Sequence, residues 1–64
     1  MIKRQARSGE KVRITNPLSA KGRYKKGDEL IVRRQMTKDY IICNGIDGVI
    51  SNNEYVVLES GDEL

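Results

Sequence analysis

Cys43 is the one thiol of this chain, and the sequence contains no histidine. A cysteine nucleophile acts as its thiolate, and a neighbouring imidazole is the usual base that makes one. Cys43 lacks that base and falls where the strand pattern points inward, so it reads as a small buried hydrophobe. Asp28 and Glu29 are adjacent. A strand sends neighbours to opposite faces, so the pair makes a poor metal site. Gly22 and Gly27 fit backbone turns better than a phosphate cradle, because no helix N-terminus follows them. No acid/base pair, nucleophile or metal cluster can be assembled, so the chain is expected to be no enzyme and to use no cofactor and no metal.

Binding chemistry remains. Lys21, Arg23, Lys25 and Lys26 crowd around Tyr24. Positive charge at that density suits an acidic protein surface or a phosphate backbone. Tyr40 and Tyr55 could line a contact face with it, or could pack their rings along the sheet with their hydroxyls exposed. Tyr24 could equally cap the core beneath its own loop. A basic run is most often just solvated surface.

Charge is distributed unevenly. Residues 1 to 27 carry nine basic side chains against Glu10 alone, and residues 28 to 64 carry three against eight acids; the whole chain has net charge +3. Such polarity suits a basic binding face. It can also vanish in three dimensions, because a small barrel interleaves its strands. Lys3, Arg4 and Arg7 form a candidate nucleic-acid arm. With 64 residues the chain holds one domain at most, and a single cysteine excludes an internal disulfide. No apolar run approaches a membrane span or a signal segment, so a cytoplasmic location without membrane attachment is expected.

The elements that must position these residues are short. Residues 1–8 have no clear period and read as a flexible basic arm. Lys11 to Thr15 alternates polar and apolar, as a half-buried strand does. Asn16 to Gly27 contains Pro17, Ser19, Gly22 and Gly27 and reads as a long loop, a length that is often functional. Glu29 to Gln35 and Asp39 to Cys43 read as strands around a short connection. Asn44-Gly45 and Asp47-Gly48 are turn signals. Val49 to Ser51, a polar corner at Ser51-Asn52-Asn53, and a last strand from Tyr55 to Glu59 complete the pattern, with a disordered tail over 60–64. No helix of normal length fits. The expected core is Val12, Ile14, Leu30, Val32, Ile41, Cys43, Ile50, Val56 and Leu58.

This order resembles an SH3-like barrel over residues 9–59. Tyr24-Lys25-Lys26-Gly27-Asp28-Glu29-Leu30-Ile31-Val32 is similar to the aromatic-basic-basic-Gly-acid stretch that opens the second SH3 strand. Asp39-Tyr40-Ile41 stands where the paired tryptophans of SH3 domains stand. Gly48 to Val56 is similar to the family's Gly-aromatic-Ile/Val-Pro-Ser-Asn-Tyr-Val segment, with one residue inserted. The resemblance implies an all-β, five-stranded SH3-like barrel. It does not carry over the proline-rich ligand. The Ala-Leu-Tyr-Asp-Tyr motif is absent, Tyr40 replaces the groove tryptophan, and the loop that is acidic in SH3 domains is basic here. An arginine-bearing ligand would meet like charge.

The chain also resembles small stand-alone SH3-like proteins of Firmicute bacteria and their phages, through Gly9-Glu10-Lys11-Val12-Arg13-Ile14 and Glu54-Tyr55-Val56-Val57-Leu58. Some phage proteins of this kind bind and disable a host factor. The expectation is therefore a protein-binding module whose partner has an acidic surface, with Lys21, Arg23, Tyr24, Lys25, Lys26, Tyr40 and Tyr55 as the contact residues. The second expectation is a nucleic-acid-binding barrel that uses the basic arm and loop.

Overall fold

Alternating apolar residues lay down the strands, and the turns between them set their order. The computed structural model describes residues 4–18 and 20–58. It contains β1 (Lys11–Ile14), β2 (Glu29–Thr37), β3 (Tyr40–Cys43), β4 (Ile50–Ser51) and β5 (Tyr55–Val57), with a 3-10 turn at Asn52–Glu54 between the last two. All neighbouring strands are antiparallel, in the order β4-β3-β2-β1-β5. The fold is all-β and compatible with an SH3-like arrangement. The sheet is open rather than a closed barrel. β4 and β5 are its two edges and are joined through the 3-10 turn, not by a ladder.

β2 is the shared strand. Its start pairs with β1 (Val12 opposite Leu30), and from Val32 onward it pairs with β3. Two register shifts, between Val32 and Arg34 and between Gln35 and Thr37, interrupt the second ladder. Bulges of this kind bend a strand and raise its twist, which lets one strand serve two halves of a curved sheet.

The core comprises Val12, Ile14, Val32, Ile41, Cys43, Ile50, Tyr55 and Val57, closed by Ala6, Ala20 and Tyr24. Three expected members differ. Leu30 sits at the margin, half-buried. Val56 and Leu58 are also only half-buried, while Tyr55 and Val57 point inward. The pairing of β5 with β1 explains the inversion. Ile14 faces Tyr55 and Val12 faces Val57, and directly opposed residues share a face of the sheet.

Residues 4–8, expected to be a flexible arm, lie against the sheet. Ala6 is fully buried. Its N–H donates to the Tyr55 hydroxyl at 3.1 Å, and its carbonyl accepts from Gln35 Nε2 at 3.1 Å. Ser8 Oγ donates to the Arg33 carbonyl at 2.8 Å, and the Gly9 N–H donates to the Val32 carbonyl at 2.8 Å. Backbone polar groups brought to a sheet must find partners, and here side chains of β2 and β5 supply them. Lys3 and the tail 60–64 lie outside the described residues.

Candidate functional site

The long loop between β1 and β2 is tied down at several points. At its base, Ile14 N donates to the Asp28 carbonyl and Gly27 N to the Ile14 carbonyl, both at 2.8 Å. Lys25 to Asp28 forms a β-turn closed by the Asp28 N–H on the Lys25 carbonyl at 3.0 Å, with Gly27 at φ +95°. At the other end of the basic stretch, Arg23 N donates to the Ala20 carbonyl at 2.9 Å. The two central residues of that turn, Lys21 and Gly22, both have positive φ, 49° and 85°. Lys21 thus occupies the left-handed region that a residue with a Cβ rarely adopts.

Arg23 works as a structural clamp. Its Nε donates to the Ala20 carbonyl at 3.0 Å, and Nη1 donates to the Asp47 carbonyl in the β3–β4 connection. The guanidinium stands 5.3 Å from the centroid of the Tyr24 ring, within cation–π range. A Cβ at Gly48 would lie 2.6 Å from Arg23 Nη1, so the glycine makes room for the clamp.

Beneath the loop, Tyr24 is buried, and its hydroxyl donates at 2.7 Å to Glu54 Oε1. Glu54 is itself fully buried; its Oε2 accepts from the Ser51 N–H at 3.0 Å, and Ser51 Oγ accepts from Asn53 N at 3.3 Å. These bonds form a capping box on the 3-10 turn. A carboxylate inside a protein needs such donors to offset its lost hydration. The Glu54 carbonyl also accepts from Thr15 and Asn16 N–H at 2.9 and 3.1 Å, so one residue anchors the loop by backbone and by side chain.

The expected contact residues thus divide. Lys21, Lys25 and Lys26 are exposed, and their ammonium groups make no ion pair among the described residues, although the Lys25 backbone N–H donates to Asp28 Oδ2 at 3.0 Å. Arg23 is half-buried in the clamp. Tyr24 and Tyr55 are buried, and both rings belong to the core. The Tyr55 hydroxyl, far from being exposed, donates to Asn52 Oδ1 at 2.7 Å while accepting from Ala6. Its pKa is raised, chiefly by burial. Tyr40 is 40% exposed on β3 and makes no hydrogen bond or cation–π contact with the loop cations.

The arm cations divide as well. Arg4 makes a fork to Glu10, Nη1 to Oε1 at 2.9 Å and Nη2 to Oε2 at 2.7 Å. The Arg4 hydrogen bonds draw the Glu10 pKa down to about 2, against an opposing effect of partial burial and with help from the Arg7 N–H. Arg7 is exposed. Cys43 is buried, and its pKa is pushed up to about 11 by that burial.

Sequence reasoning missed Glu54, although Ser51-x-x-Glu54 is the spacing of a capping box. It also missed Gln5, whose Nε2 donates to the carbonyls of Thr37 and of Tyr40, the latter at 3.0 Å. No spacing signal marks that residue. Among the described residues no group of three acidic, cysteine or histidine side chains could hold a metal ion, and no helix is long and apolar enough to cross a membrane. Comparison of the chain with protein-family models, curated proteins and solved structures returns no significant match.

Proposed function

We propose that this chain is a non-enzymatic binding module that takes an acidic protein surface on its β1–β2 loop. The observation that carries the reading is the presentation of Lys21, Lys25 and Lys26. All three ammonium groups are exposed without an ion pair among the described residues, on a loop held by the Tyr24–Glu54 bond and the Arg23 clamp. A loop fixed in advance loses less conformational entropy on binding, and exposed charges steer the encounter.

The resemblance to small SH3-like proteins of Firmicute bacteria and their phages supports the more specific form of this reading. The module would act in the bacterial cytoplasm, or in the host cytoplasm if phage-encoded, by modulating a host protein. The test is capture of partners from bacterial lysate with and without nuclease, using the natural chain and the triple variant Lys21→Glu, Lys25→Glu, Lys26→Glu. The reading expects nuclease-resistant capture that the triple variant loses. Capture that survives the triple reversal at low salt would overturn it. Arg23 is left unchanged in this variant because its guanidinium holds the loop.

A further inference from the structure

A second set of exposed cations lies on the β2–β3 hairpin, and it differs from the loop in one respect: it carries an exposed aromatic ring. Every residue of β2 from Arg33 to Thr37 is exposed, and so are Lys38 and Tyr40 beyond it. Arg33, Arg34 and Lys38 have no acidic partner among the described residues, and Asp39 is the one acid within the hairpin tip. Sequence position hides this cluster, because it falls in the acidic half of the chain.

The register puts Arg34 on the same face as Tyr40, with Arg33 at a register shift and Lys38 in the turn beside them. Ile41 and Cys43 point into the core, so Tyr40 and Ile42 point outward from β3. Arg34 is directly opposite Ile42 and therefore shares that face. Diagonal neighbours across an antiparallel pair are about 7–8 Å apart, within reach of an arginine side chain beside the Tyr40 ring. Arg33 and Met36 fall at the two register shifts, and Met36 is 42% exposed.

The tip is also braced. Asn52 Nδ2 donates to the Lys38 carbonyl at 2.8 Å, and Asn52 N to the Asp39 carbonyl at 2.9 Å. Asp39 N donates to Thr37 Oγ1 at 3.2 Å, and Gln5 Nε2 holds the Thr37 and Tyr40 carbonyls from the other side. The exposed ring and cations therefore stand on a fixed backbone.

Cations alone suit any acidic surface, and the exposed ring adds a second recognition element. A strand of nucleotides uses both: bases stack on an aromatic face, and guanidinium forks match phosphate oxygens. We propose that the outward face of the β2–β3 hairpin binds single-stranded nucleic acid, with a base on Tyr40 and phosphates on Arg33, Arg34 and Lys38. This face is built from residues other than those of the β1–β2 loop, and the inference does not depend on the protein-binding reading.

The experiment is fluorescence anisotropy of the full chain with a labelled twelve-nucleotide oligo-dT across a salt series. Binding should weaken with salt. Tyr40→Ala should lose about tenfold in affinity, whereas Tyr40→Phe should stay close to the natural chain. The pair Arg34→Gln and Lys38→Gln should reduce the slope of log affinity against log salt by about 1.4, two single-strand phosphate contacts. The triple loop reversal should cost less than the hairpin pair. Backbone amide shifts of the unmodified protein, followed during the same titration, should move at 33–42, which keeps the test valid if a hairpin variant fails to fold. Shifts confined to the 21–26 loop, unchanged binding by Tyr40→Ala, equal competition by poly-glutamate, or no binding at low salt would each overturn the inference.

Discussion

Tyr24 donates its hydroxyl proton to the buried carboxylate of Glu54, thirty residues further along the chain, at 2.7 Å. That bond joins the basic loop to the 3-10 turn. Removing the hydroxyl in Tyr24→Phe leaves Oε1 without this donor in a water-poor site. Leaving a buried acceptor short of a donor costs about 1–3 kcal/mol, and the variant should lose an amount in that range by urea unfolding. An unchanged midpoint would show that the bond does not hold the loop.

Stability should fall in acid through Glu10. Its folded pKa, about 2, lies below its ordinary value of 4.5. The unfolded chain therefore binds the proton more readily, and stability falls as pH drops from about 4.5 toward 2. The pair is partly exposed, so its contribution is about 1 kcal/mol at most. Glu10→Gln should flatten this part of the pH–stability curve, and an unaltered curve would remove Arg4–Glu10 from the account.

The inward face of β5 can be read by truncation. Val57→Ala should cost about 2 kcal/mol, because it opens a gap in a packed core. Val56→Ala, on the outward face, should cost less than half as much. Equal costs would argue against the observed register of Tyr55 with Ile14.

Cys43 should resist a thiol reagent in the native protein and react only as the chain unfolds, since it is buried and its pKa is raised to about 11. Stoichiometric labelling within seconds under native conditions would contradict this.

Lys21 sits at φ +49°, where a Cβ is strained by about 1 kcal/mol. Lys21→Gly should be neutral to mildly stabilising once the added freedom of the unfolded chain is counted. Lys21→Val should destabilise. Thermal melts of the pair check the sign.

Part of the fold was legible because β1 alternates: Val12 and Ile14, set between Lys11, Arg13 and Thr15, could face only one way. Tyr40-Ile41-Ile42-Cys43 is apolar throughout, and its inner face follows from the pairing of Cys43 with Val32. β5 was not legible on the same grounds: Tyr55-Val56-Val57-Leu58 is apolar at every position, so either face could be the inner one, and pairing with β1 decided it. Tyr24 and Tyr55 stayed open between contact face and core for a related reason. A ring with a hydroxyl suits a wet contact face as well as a core with an acceptor, and only Glu54 and Asn52 reveal which. The docking of residues 4–8 had no local signal, because its partners, Arg33, Gln35 and Tyr55, are distant in sequence.

The bond from Ala6 to Tyr55 spans 49 residues, and it sets a timetable for assembly. Residues 4–8 are synthesised before Tyr55, yet the buried Ala6 amide has no acceptor until β5 exists. β1 is in the same position, flanked on one side by β5. Closing such long loops precedes the contacts that reward it, and sheets of this kind fold in milliseconds to seconds rather than microseconds. A nascent chain arrested before Tyr55 would therefore leave the Ala6 amide without its acceptor.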